Sequence, residues 1–491
     1  MFALRRLMLA CMLLVFGQSL LPGSDGKDKK APGLPEVVSY YKDVRPIFQQ
    51  HCQGCHQPAM AKGGFVMTAY AELFKKSDHD LPGIVSGQPT KSAIVTQITP
   101  QQGKPPAMPR DKEPLTQREV DLIVKWISQG AKDDTPASAK GTLVDKEHPP
   151  VYHLPPVITS LVYSPDGTLL AVSGYHEILL HKGDGTGLLA RLVGVSERVQ
   201  SLAFSPDGKW LAATGGNPGR FGEVQIWDVS KKKLKTSMPI TYDTVYGASW
   251  SPDGKKLAFG CADNSLRAID VESGNQILFQ GGHSDWVLDT VFSKDASHLV
   301  SVSRDMSMKL TEVATQRLVD NITSITPGAL KGGLTAVDRF PGKDDLLIGG
   351  SDGVPKLYQM YRTKPRQIGD DFNLIRKYPE MPGRIFAARF NKDGSRIIAG
   401  SSHNGKGEVR IFQTADAKQI SKLGGDFGGI YAVAFRPDGK QVASAGFDGM
   451  VRLHDPDNGK LIKEFVPCPI GAPNAKLQTS NPKQVQSSNN K

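Results

Sequence analysis

Cysteine is scarce in this chain, with five residues in 491. So few thiols cannot build a disulfide-stapled scaffold, and the fold has to rest on a hydrophobic core. Long apolar runs are missing as well. The stretch from Leu7 to Phe16 falls short of the roughly 20 residues a helix needs to cross a bilayer, which argues against a stable membrane span. The basic and aromatic interleaving that reads nucleic acid is also absent. The formal charge of +11 is scattered through loops such as Lys231-Lys232-Lys233 and Lys255-Lys256, which excludes nucleic acid as the expected partner.

The N-terminus has positive features. Arg5 and Arg6 precede the apolar run, and Gly17 and Ser19 follow it. This is the order of an export signal, assigned to residues 1–24, and it places the mature chain in the periplasm or another extracytoplasmic space. Residues 25–39 are charged and rich in proline and glycine, as expected of a flexible leader. With 39% hydrophobic and 22% charged residues the rest is of globular type, and 51 glycines with 34 prolines predict many turns between short strands.

Two helices are expected in the segment 40–132. Val44, Ile47 and Phe48 share a helical face before Cys52. Near the segment's end, Thr116 and Glu119 form a capping box ahead of Val120, Ile123, Val124 and Ile127, with Gly130 as the stop. Residues 133–155 read as a linker. Beyond it a turn recurs: Ser164-Pro165-Asp166-Gly167, then Ser205 to Gly208, Ser251 to Gly254, and weaker copies at Asp295, Asp344, Asp393 and Asp438. Successive aspartates are 41 to 49 residues apart, the period of a propeller blade. Proline presets φ, aspartate bonds back to the backbone and glycine takes positive φ, so the tetrapeptide is a hairpin connector without any catalytic role. The repeats occupy 156–466, and residues 467–491 read as a disordered tail.

Cys52-Gln53-Gly54-Cys55-His56 is the motif that carries chemistry. Two thiols three apart followed by histidine suit c-type haem attachment, in which both thiols add to vinyl groups and the imidazole binds iron. Zinc would want a second paired set of ligands, and Cys261 and Cys468 stand alone. A thioredoxin-like pair would want a βαβ context. Met108, in the loop Lys104 to Arg110, is the favoured second iron ligand; Met67, a histidine or an open position are the alternatives. Met60 is too near His56 to reach around, and His51 and His79 read as surface residues.

Segment 40–132 resembles the class I cytochrome c domain, and more narrowly the planctomycete-type cytochrome c module. The likeness is carried by Val44 to Phe48, Gly87-Gln88-Pro89 with Ser92, Met108-Pro109 and Trp126-Ile127, and it implies packing roles for Phe48 and Trp126. The repeats resemble WD40 repeats. Trp227-Asp228 is the literal Trp-Asp pair, Gly282-His283 matches the Gly-His signal, and Asp263, Asp305, Asp352 and Asp448 take the tight-turn aspartate position. Thr311 and His454 stand where the family often has tryptophan.

The expected fold is therefore a small all-α cytochrome c domain followed by an all-β propeller of about seven four-stranded blades. One haem c would be attached through Cys52 and Cys55, its iron held by His56 and Met108. The expected function is single-electron transfer, with the propeller as a platform for a redox partner or another protein at its loops. The alternative is a two-domain haem enzyme whose propeller binds a second cofactor or substrate. Without a recognisable acid, base or nucleophile set, electron transfer is favoured over catalysis. A sensor in which Met108 leaves the iron is a third option. Cys261 and Cys468 are expected to be free or buried thiols.

Overall fold

Alternating apolar and polar residues after each Ser-Pro-Asp-Gly turn impose a two-residue period, and strands dominate accordingly. The computed structural model of the chain describes residues 33–57, 60–78, 81–110, 112–136, 144–324, 331–367 and 369–471. The expected signal (1–24), residues 25–32 of the leader, His79 and residues 472–491 of the tail lie outside the described residues. From Val37 onward the described residues belong to one compact unit.

Its first part is built of short pieces. A widened turn at Tyr40–Val44 leads into α1 (Arg45–His51). Then β1 (His56–Gln57) pairs with β2 (Met60–Ala61), and α2 (Ala93–Ile98) and α3 (Gln117–Ser128) follow. The capping box forms as expected, with the Glu119 N–H donating to Thr116 Oγ1 at 3.3 Å and the Thr116 N–H donating to Glu119 Oε2 at 2.8 Å. Phe48 and Trp126 are buried against each other, ring centroids 6.3 Å apart, and Tyr40 stacks on Trp126 at 5.2 Å.

The expectation of an all-α cytochrome c domain is corrected here. Only α3 reaches 12 residues, against seven for α1 and six for α2. Pro82, Gly83, Gly87, Pro89, Gly103, Pro105, Pro106 and Pro109 interrupt the chain before a longer helix can propagate.

The remainder is sheet. A seven-stranded sheet runs in order through β3 (Leu161–Tyr163), β4 (Leu169–Ser173), β5 (Tyr175–Lys182), β6 (Leu188–Phe204), β7 (Trp210–Asn217), β8 (Phe221–Asp228) and β9 (Lys233–Thr241). Five four-stranded sheets follow. The first two are β10 (Val245–Trp250), β11 (Lys256–Cys261), β12 (Leu266–Asp270) and β13 (Gln276–Gln280), then β14 (Val287–Phe292), β15 (His298–Ser303), β16 (Met308–Glu312) and β17 (Leu318–Asn321). The third is β18 (Leu334–Arg339), β19 (Asp345–Gly350), β20 (Lys356–Gln359) and β21 (Leu374–Lys377). The last two are β22 (Arg384–Phe390), β23 (Arg396–His403), β24 (Lys406–Gln413) and β25 (Gln419–Lys422), then β26 (Ile430–Phe435), β27 (Val442–Gly446), β28 (Val451–His454) and β29 (Leu461–Phe465).

The expected propeller of about seven four-stranded blades is corrected to these six open sheets, each running from one edge strand to the other. The physical reason lies in β6. No proline interrupts Leu188 to Phe204, so one 17-residue strand ends one repeat and starts the next, fusing two expected blades.

The recurrent turn holds its shape as expected. Ser164 Oγ donates to Asp166 Oδ1 at 2.5 Å, the Thr168 N–H donates to the same carboxylate oxygen at 3.0 Å, and Gly167 has φ +73°. Ser205 with Asp207, Ser251 with Asp253 and Ser293 with Asp295 repeat the hydroxyl-to-carboxylate bond at 2.5–2.6 Å.

Candidate functional site

The Cys-x-x-Cys-His residues lie on a helical turn leaving α1: the N–H groups of Cys55 and His56 both donate to the Cys52 carbonyl at 3.1 Å. Gly54 allows this turn to lie against β9. A Cβ there would stand 2.6 Å from the Ser237 carbonyl oxygen and 2.9 Å from Pro239 Cδ. Met60 packs on the core that contains Trp227 and Leu234, and Arg220 Nη2 donates to the Tyr41 hydroxyl at 3.2 Å. The turn is thereby joined to the first sheet.

Cys52, Cys55 and His56 are half-buried. Burial pushes the Cys52 thiol up to about 12 and holds the His56 imidazole below its ordinary value. His56 Nδ1 lies 3.3 Å from the Phe65 carbonyl oxygen, with the two rings edge to face at 5.9 Å. Met108 is in a separate loop, half-buried, its N–H donating to the Gln97 carbonyl at 3.0 Å ahead of a cis Pro109. Met67 is core, 3% exposed. His51 is tied to Glu119 at 3.2 Å. Cys261 and Cys468 are buried free thiols, in line with expectation.

These residues do not fit the expected cofactor. Among the described residues no three His, Cys, Asp or Glu side chains are grouped so as to hold a metal ion, and the multi-helical cradle of a cytochrome c domain is replaced by short helices and turns. The haem c expected on Cys52, Cys55, His56 and Met108 is corrected on these findings. Single-electron transfer and the alternative two-domain haem enzyme, which both depend on that haem, are corrected with it.

A second site has no sequence motif. A cavity of about 260 Å³ is lined by residues of β3, β6, β10, β14, β18, β22 and β26, the inner strands of successive repeats. Inside it Arg389 Nη1 reaches Asp289 Oδ2 at 3.4 Å and donates to the carbonyls of Val337 (3.3 Å) and Ala388 (3.0 Å). Asp289 Oδ2 accepts the Val337 N–H at 3.1 Å, and Asp338 Oδ2 accepts the Phe390 N–H at 2.7 Å. Burial raises both carboxyl groups. For Arg389 burial works the opposite way, but the charges of Asp289 and Asp338 outweigh it and favour the guanidinium.

Sequence reading missed this group. Asp289, Asp338 and Arg389 stand at unlike positions of three different inner strands, and only the tertiary structure shows that they meet.

A family model described as "Planctomycete cytochrome C" matches residues 52–111, and the "WD domain, G-beta repeat" model matches residues 187–228, 232–270, 274–311 and 417–455. Among curated proteins, Eukaryotic translation initiation factor 3 subunit I of Nematostella vectensis is 23% identical over 249 residues, covering 50% of this chain and 63% of the relative. The protein of the same name from Kluyveromyces lactis is 25% identical over 210 residues, covering 43% of this chain and 47% of the relative. The human one is 24% identical over 217 residues, covering 44% and 53%. The chain thus spans less than two thirds of the length of these relatives.

The expected extracytoplasmic location is corrected by this similarity, since the matched relatives are translation initiation factor subunits by name. Among the described residues no helix is long and apolar enough to cross a membrane. The chain carries a WD40-repeat region behind a segment similar to planctomycete cytochrome C.

Proposed function

We propose that this chain is a protein-interaction scaffold whose WD40-type repeats present strand-connecting loops to a protein partner. One observation carries the reading: seven inner strands converge on a single cavity, so side chains distant in sequence face one visitor. The names of the matched relatives, each a "subunit", support a place in an assembly. Binding, not turnover, is the activity in this reading. The division into a segment at 40–132, a linker at 133–155 and repeats at 156–466 belongs to it, with the Cys52–His56 turn fastening the segment to β9.

Cross-linking in the native host, followed by mass spectrometry of the linked peptides, tests the proposal. A stoichiometric partner linked through the repeat loops is expected. Self-links alone, at every protein concentration, would overturn it.

A further inference from the structure

Two tripeptides of this chain are identical in sequence and sit in unlike surroundings. Asn404-Gly405-Lys406 and Asn458-Gly459-Lys460 are the two places where asparagine precedes glycine. Asparagine is a thermolabile residue, and a glycine after it has no Cβ to shield its amide nitrogen. Reaction within such a pair requires the glycine nitrogen to meet the carbon of the asparagine side-chain amide. Whatever holds either group in place therefore slows it.

The fold separates the two pairs. Asn404 and Gly405 form the two-residue tip between β23 and β24, where His403 pairs with Lys406. Their φ values are +50° and +78°, both positive as in Asn-Gly hairpin tips. Both residues are exposed, and a Cβ added to Gly405 would meet nothing within 4 Å. The Gly405 N–H donates to no acceptor among the described residues, and the Asn404 amide has one side-chain contact, Nδ2 at 3.2 Å from His403 Nε2.

Asn458 is held at both ends of its amide. Its Nδ2 donates to Asp455 Oδ2 at 2.8 Å, and its Oδ1 accepts the Lys460 N–H at 2.8 Å. The buried Gly459 donates its N–H to the Asp455 carbonyl at 2.9 Å and accepts the Gly424 N–H at 2.9 Å. A Cβ there would stand 2.1 Å from the Lys422 carbonyl oxygen. The nucleophile and the carbon it would attack are free at the first pair and fastened at the second.

We infer that Asn404 is a self-modifying site: in the folded protein, water converts it to aspartate and isoaspartate, while Asn458 is spared. The Gly405 amide nitrogen gives up its proton and bonds to Asn404 Cγ, the Cγ–Nδ2 bond breaks, and ammonia leaves with that proton. Water then opens the five-membered imide at either carbonyl. The sum is asparagine plus water giving the acid plus ammonia, with no change of oxidation state. Asp-Gly suits the same hairpin tip as Asn-Gly, so the aspartate form keeps β23 and β24 paired and adds one negative charge beside His403 and Lys406. The isoaspartate form carries the main chain through the side-chain carbon, which lengthens the tip and displaces the pairing of His403 with Lys406. This hairpin thereby changes charge and shape with the age of the molecule.

Peptide mapping by mass spectrometry tests the inference on the full chain, incubated at physiological temperature in mildly alkaline buffer, with a parallel sample in concentrated urea. In buffer the peptide holding Asn404 is expected to gain the mass of deamidation roughly tenfold or more faster than the peptide holding Asn458, and to resolve into aspartate and isoaspartate forms by retention time. In urea the two rates should converge to within about threefold, because the reacting tripeptides are the same and only the fold distinguishes them. Equal rates in buffer, no gain at Asn404, or a difference that persists undiminished in urea would overturn the inference.

Discussion

His283 bridges two elements: its Nδ1 lies 2.8 Å from Asp305 Oδ2 and its Nε2 lies 2.8 Å from Ser301 Oγ. The Gly-His signal is thus a structural one, as the WD40 resemblance implied. Thr311, where that family often has tryptophan, leaves its buried hydroxyl without a hydrogen-bond partner. In other repeats the equivalent aspartate takes a basic partner four residues on, Arg267 for Asp263, Lys356 for Asp352 and Arg452 for Asp448. Burial alone would raise the Asp305 carboxyl, but hydrogen bonds from His283 and Ser307 outweigh it and hold it well below the usual range. A depressed carboxyl contributes stability above its unfolded value near 3.8, and the contribution is lost as pH falls through the folded value. Asp305→Asn should lower stability at neutral pH by about 3 kcal/mol and flatten the acid limb, read by urea unfolding across pH.

Glu223 behaves oppositely. It is buried, accepts hydrogen bonds from Ser196 at 2.6 Å, Gln225 at 2.6 Å and Ser237, and burial raises its carboxyl. Stability tied to a raised carboxyl is present below its unfolded value near 4.5 and declines as pH rises toward the folded value. Glu223→Gln should remove that decline, seen as a smaller loss of thermal midpoint between pH 4.5 and neutrality.

At the scale of elements, α3 was fully legible. Its cap, its apolar face and its stop at Gly130, φ +96°, are all local chemistry. Thr116→Ala should cost about 1 kcal/mol, measured by thermal unfolding followed at 222 nm. The length of β6 was not legible, because a two-residue alternation cannot say where one repeat yields to the next when no breaker intervenes. The docking of the Cys52–His56 turn was equally hidden. The sequence shows Gly54 but not that β9 comes to 2.6 Å of its missing Cβ. Gly54→Val should loosen the segment from the first sheet at a cost of roughly 1–3 kcal/mol, detected as earlier proteolytic release of the segment with the repeats intact.

Across the whole molecule the two ends of the sheet array are laced together. Gln441 Nε2 donates to the Tyr163 hydroxyl at 2.7 Å, the Ile158 N–H donates to the Gly446 carbonyl at 2.9 Å, and His181 Nε2 lies 2.9 Å from the Pro467 carbonyl oxygen. Tyr152 pairs with Ile470 across the chain's length. The fourth strand of the last sheet is β29. Arg389 joins three inner strands through Asp289, Val337 and Ala388, all more than nine-tenths buried or backbone partners. Arg389→Met should cost roughly 2–3 kcal/mol, the worth of hydrogen bonds to a charged group, and denaturant unfolding of the full chain measures it.

What the residues alone determined was local: the recurrent Ser-Pro-Asp-Gly turns, the strand period, the capped α3, and the placing of two thiols and an imidazole on one turn. Each depends on local hydrogen bonds and backbone preferences, so neighbours in sequence suffice. Tertiary structure decided the rest. It joined two repeats through β6, set Gly54 against β9, and brought inner strands of successive repeats around one cavity. These outcomes depend on which strands pair and in what register, a choice made by burial of the whole set of apolar faces at once.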